Sequence, residues 1–235
     1  MKKIVLITIL VYLISFSVKA QYTGPKPIVV GDTSTNYQVI YPLGWSNDGT
    51  FAYIHQDMND FATRDNYYYT IHIQNMKTNK TLWSKQFKSD LENYKHFPAD
   101  NTLHNYTFFK LVMWDRIGGE IKAKLNQYNV EIENGSLHKV NDLPKDISLK
   151  ETATKNDSEI TTRYNIRLFK SDKFKLVYGY DCTRTEDPCD VNKSIWYRTF
   201  ALKGYFKSPF ENRIAILVFK ETNGFEEPYE YPFFA

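Results

Sequence analysis

The chain lacks most of the short signatures by which enzymes announce themselves. It has no G-x-S-x-G elbow that would raise a serine nucleophile, and its serines fall in turn-like segments. Its five histidines, at 55, 72, 96, 104 and 138, include no pair at i, i+4 spacing, so the zinc-protease pattern is missing. Only two cysteines are present, Cys182 and Cys189, and their spacing is not the C-x-x-C of a redox-active pair. No glycine-rich phosphate loop or dinucleotide fingerprint occurs. The sequence therefore names no catalytic residue, calls for no metal and implies no cofactor.

Long apolar runs are also scarce, and the one that exists lies at the start. Met1-Lys2-Lys3 is a short basic stretch, residues 4–16 are almost unbroken apolar chain, and Val18 and Ala20 put small side chains at −3 and −1 of a cleavage site before Gln21. This order is that of a secretory signal peptide over residues 1–20. A membrane anchor is the alternative, but the run is short of the roughly 20 residues that a span needs. The expected mature chain is thus exported, periplasmic or secreted, with no membrane span after cleavage. Without a cysteine at the junction, lipid attachment has no acceptor atom.

Cleavage also alters the charge. The sequence holds 30 Lys and Arg against 27 Asp and Glu. Lys2, Lys3 and Lys19 make up the difference, so residues 21–235 are formally neutral. A neutral chain has no overall electrostatic footprint for nucleic acid. In an oxidising compartment, two cysteines flanking a short polar loop with a proline favour a Cys182–Cys189 disulfide. So small a loop would contribute about 2–3 kcal/mol, pinning a hairpin rather than holding the fold.

What is abundant is aromatic: 18 Tyr, 16 Phe and 4 Trp. Such residues suit half-buried sheet surfaces. Extended runs are expected at 37–41, 43–54, 67–73 and 81–85, joined by turns at Asn47-Asp48-Gly49 and at 75–80, which make a meander. Between about 101 and 128, Phe109, Met113, Ile117, Ile121, Leu125 and Tyr128 recur at helical spacing, with a kink or break expected at Gly118-Gly119. Residues 89–95 are a candidate turn of helix, and 145–158 read as a polar loop. Strands resume at 162–169, 174–180, 195–202 and 213–219. The last is nearly continuously apolar and should be the most buried, with the aromatic C-terminal stretch as an edge strand over the core. The expected fold is α+β, mainly β: one β-rich domain over 21–235, with antiparallel blade-like sheets and a central helical insertion.

One pattern recurs. Gly44-Trp45-Ser46-Asn47-Asp48-Gly49 leads into a strand containing Ala52, and Gly204-Tyr205-Phe206-Lys207-Ser208 leads through a longer turn into one containing Ala215. Both segments resemble the aromatic-Ser-x-Asp-Gly hairpin of TolB-type propeller blades. A full propeller would repeat it every ~40–45 residues, which this chain does not. With the leader, the Tyr-rich strand and the run 214–218 before Gly224, the chain resembles a family of bacterial predicted secreted proteins of unknown function. The second copy departs from the pattern, with Phe210-Glu211 where Asp-Gly would stand. The resemblance implies compartment and β-rich architecture, and no activity.

Candidate binding residues follow from the aromatics. Tyr67, Tyr69, Trp45 and Trp83 lie on expected strands, where neighbours point to opposite faces, so some rings should reach solvent. Exposed rings of this kind recognise carbohydrate or peptide. Core packing is the competing role for the same residues. The acidic segment 57–65 has the oxygen-rich character of a calcium loop but lacks the glycine and glutamate that such a loop requires. Paired carboxylates for glycoside hydrolysis would come from Asp48, Glu226 or Glu227, which the sequence does not place together. The expected function is a non-catalytic binding protein of the cell envelope, its partner an envelope protein or carbohydrate. The alternative is a hydrolase of envelope polysaccharide or peptide.

Overall fold

A computed structural model describes residues 24–32, 36–57, 68–88, 109–133, 135–155, 161–170, 172–183, 198–223 and 228–235. The expected signal segment, Tyr67, the acidic segment beyond Asp57, residues 89–95 and Cys189 lie outside them, as does the side chain of Cys182.

The chain is mainly β, with antiparallel sheets and one central helix. The first sheet orders β1 (Ile28–Asp32), β2 (Asn36–Trp45), β3 (Thr50–Asp57), β4 (Tyr68–Asn75) and β5 (Lys80–Lys88) as a meander, and β6 (Glu131–Ile132) adds to β2. The third sheet in space, β7 (Ile147–Lys155), β8 (Thr161–Lys170) and β9 (Lys173–Thr183), precedes in sequence the middle one, β10 (Arg198–Lys207), β11 (Ile214–Asn223) and β12 (Pro228–Phe234). Helix α1 (Asp115–Gln127) follows a π-helical turn at Lys110–Trp114.

Alternating side chains stack these elements as four layers: helix, first sheet, middle sheet, third sheet. Val39, Tyr41, Ile54, Tyr69 and Ile71 bury one face of the first sheet against Phe109, Met113, Ile121 and Leu125. The opposite face puts Ile40, Phe51 and Tyr53 against Phe206, Leu217, Phe219 and Phe234. On the far side of the middle sheet, Tyr205, Ile216 and Val218 meet Ile147, Leu149, Leu168 and Val177. Strand β11 is therefore covered on both faces, which is why its sequence is continuously apolar; residues 215–219 are all buried. The edge position of β12 over the core also agrees with expectation.

Three local expectations are corrected. Residues 147–155 form a strand rather than a loop: Ile147 and Leu149 face the core, and the whole strand is held by nine cross-strand pairs with β8. Residues 28–32, which precede the first expected strand, also form one and pair with β2. The helix runs unbroken through Gly118-Gly119, its irregular turn lying upstream at 110–114. Gly118 is buried beneath the Trp114 ring, whose nearest atoms lie 3.2 Å from where a β-carbon would stand. Among the described residues no helix is long and apolar enough to cross a membrane.

Candidate functional site

The first hairpin carries the Ser-Asn-Asp-Gly turn, and its polar atoms serve one another. Thr50 N–H donates to Ser46 Oγ at 2.9 Å and to Asp48 Oδ1 at 3.2 Å, Thr50 Oγ1 donates to the same carboxylate at 3.0 Å, and Ser46 Oγ also donates to it. The Ser46 hydrogen bond, with those from Thr50, holds the Asp48 carboxyl below its usual range, while partial burial opposes them. Ser46 is fully buried and consumed by the turn. The motif is thus a folding device at this position. Gly49 closes it with φ +91°, and the Arg213 guanidinium occupies the space that a β-carbon would need.

Arg213 comes from the second copy of the echo, and through it the two hairpin ends meet. Its guanidinium pairs with Glu211 and lies 3.5 Å from the Asp48 carbonyl oxygen. The copies also share their entry geometry. Gly44 and Gly204 each sit at a register shift, a β-bulge, in β2 and β10 respectively. The chain leaving α1 lies beside both: β6 pairs with Gly44 and Trp45, and His138 exchanges backbone hydrogen bonds with Tyr205 at 2.9 and 3.1 Å.

The bulge in β2 decides the fate of the aromatic candidates. Strict alternation would place Trp45 with Tyr41 and Leu43 on the helix side; the extra residue turns it to the opposite core, against Phe51 at 4.7 Å. Tyr69 is wholly buried on the helix side, 5.6 Å from the Phe109 ring. Trp83, half-buried on β5, packs against the helix layer with Lys124 5.8 Å from its ring centre. Trp45 and Tyr69 are therefore not brought to one surface, and Tyr67 lies outside the described residues.

What the fold does bring together is a set of cations that the sequence did not single out. Between the middle and third sheets, at the end that carries Lys170, Lys173 and Arg213, lies a cleft of about 300 Å³. Ile147, Leu168, Ile214 and Ile216 form its apolar wall, and Lys170, Lys173, Lys175 and Arg213 line it as well. The β8–β9 register explains the lysines. Leu168 opposes Lys175 and Lys170 opposes Lys173, so all three ammoniums share the inward face with Leu168. That face is apolar further along the sheet and becomes cationic at its end.

Lys175 is the most enclosed of the three. Its Nζ donates to the Met76 carbonyl at 2.5 Å, on the turn between β4 and β5. Burial, with Arg213 nearby as a second cause, pushes its pKa down to about 8. The signal that would have found this set is lysine at the positions of β8 and β9 that share a face with Leu168. It becomes visible only once the pairing register is known.

The strand histidines are packing residues. His55 Nε2 shares a 2.5 Å hydrogen bond with Gln38 Oε1, and His72 stacks on the Tyr53 ring at 4.8 Å. Among the described residues no group of three or more His, Cys, Asp or Glu is placed to hold a metal ion. No family model, curated protein or solved structure matches the chain.

Proposed function

We propose that the protein is an exported, non-catalytic binding protein of the cell envelope, and that the cleft between the middle and third sheets is its ligand site. The observation that carries this reading is the convergence of Lys170, Lys173 and Lys175 on an apolar wall in a concave space of about 300 Å³. Binding sites have this composition: mostly apolar lining with a few polar groups that orient the ligand. The described residues lining the cleft offer ammonium, guanidinium, amide and alkyl groups and the Phe174 ring, and no carboxylate or imidazole side chain. That chemistry favours holding an anion over the acid–base work that a hydrolase of envelope polymers would need. Export rests on the leader and on the resemblance to bacterial secreted proteins with TolB-type hairpins.

Protein purified from the envelope or medium should begin at Gln21 and carry a Cys182–Cys189 pair that resists alkylation. Native mass spectrometry of that material should find a bound small molecule, lost when Lys170 and Lys173 are both replaced by Glu. An intact Met1 overturns export through this leader. Protein with no adduct, or an adduct that the double variant retains, overturns the assignment of the cleft.

A further inference from the structure

Resting on the reading of the cleft as a ligand site, the geometry points to the class of ligand: we infer an amphiphile with a phosphomonoester head, its head against Lys170, Lys173 and Lys175 and its alkyl chain along Ile147, Leu168, Ile214 and Ile216.

The lysine arrangement is unfavourable without a counter-charge. Lys170 and Lys173 are directly opposed across β8 and β9, and Lys175 is two positions further along the same inward face. Like charges directly opposite each other destabilise a sheet pair. Arg213 faces the same cleft, and Glu211 answers its charge. The three ammoniums are left without a carboxylate side chain among the described residues lining the cleft.

A single negative charge would offset one ammonium. A phosphomonoester carries close to two charges near neutral pH and three acceptor oxygens, enough to engage all three lysines with charge-assisted hydrogen bonds. The remaining surface gives the second half of the ligand. Immediately beside the lysines, the cleft is walled by aliphatic side chains of both sheets, and burial of an alkyl chain against them is favourable. A free inorganic ion would leave this wall unused.

The test is calorimetric titration of the purified full chain at neutral pH with dodecyl phosphate below its micelle concentration. Dodecanoate, dodecanol, dodecyl maltoside and inorganic phosphate serve as comparison probes. Dodecyl phosphate should bind at least about tenfold more tightly than each of them, and Lys170→Gln with Lys173→Gln should weaken it about tenfold or more. The same pair replaced by Arg should restore binding, which separates a charge role from a structural one. Equal binding of dodecanoate overturns the dianionic head. Equal binding of dodecanol or dodecyl maltoside overturns the anionic class while leaving the cleft as a site, and equal binding of inorganic phosphate overturns the amphiphile. If none of the five probes binds, both the inference and the reading beneath it fall.

Discussion

Gly44 and Gly204 hold matching positions in two different sheets: each stands at a β-bulge with a carbonyl oxygen of the α1–β7 connection pressed against it, Glu131 O at Gly44 and His138 O at Gly204. A β-carbon on Gly44 would lie 1.8 Å from Glu131 O, and its φ of +146° disfavours any L side chain besides. On Gly204 it would lie 2.7 Å from His138 O. Gly44→Ala should therefore cost about 3 kcal/mol or more, and Gly204→Ala about 1–3 kcal/mol. Urea unfolding checks the order; a Gly44→Ala chain as stable as wild type would show that β6 does not need this close approach.

How far the fold was legible follows from the range of the interactions involved. The turn at Asn47-Asp48-Gly49 was readable because its side-chain chemistry is local, the hydrogen bonds among Ser46, Asp48 and Thr50 spanning no more than four residues. Strand β11 was readable because burial on both faces leaves a continuous apolar run. The orientation of Trp45 was not, because it depends on one extra residue between Pro42 and Gly44, and that appears only in the pairing with β3. The cationic cleft was hidden for the same reason. Lys170, Lys173 and Lys175 look like ordinary surface residues until the register turns them towards the middle sheet.

The two adjacent helix glycines separate propensity from packing. A β-carbon on Gly119 meets nothing within 4 Å, whereas on Gly118 it would meet the Trp114 ring at 3.2 Å. Gly119→Ala should stabilise the chain by about 0.5–1 kcal/mol, the usual gain in a helix interior. Gly118→Ala should gain less, since the indole must give way. Chemical unfolding of both variants tests this, and an equal gain would mean that the ring is free to move.

Burial of two strand histidines makes stability fall on the acid side. The pKa of His55 is pushed down to about 3 by burial and by His72, and that of His72 to about 4 by burial. As pH drops below about 6.5, the unfolded chain takes up protons that the folded chain refuses. Stability is therefore full above that value and is lost progressively towards the folded pKa values, by up to about 1.4 kcal/mol per pH unit for each histidine. His55→Gln should flatten the dependence of the urea midpoint between pH 7 and about pH 5. An unchanged slope would assign the loss to other groups.

Lys175 gives the opposite edge of the pH profile. Its folded pKa of about 8 lies below the value of 10.5 that it has when unfolded, so between those limits the unfolded chain holds the extra proton and stability rises with pH. The window up to about pH 9.5 is clear of Tyr41 and Tyr53, whose buried phenols hold raised pKa values and lower stability only where unfolded tyrosines begin to ionise, near pH 10. From about pH 8 to 9.5 the wild-type chain should gain about 1 kcal/mol, less than the unscreened figure because the ammonium keeps some contact with water. Lys175→Met should abolish that gain. It removes a charge repelled by Arg213 but also leaves the Met76 carbonyl without its 2.5 Å donor, so its stability at pH 7 should differ from wild type by about 1 kcal/mol or less. Urea midpoints at the two pH values decide the matter: a variant that still gains stability would show that the titrating group is not Lys175, and that this ammonium is not the enclosed member of the cleft's charge set.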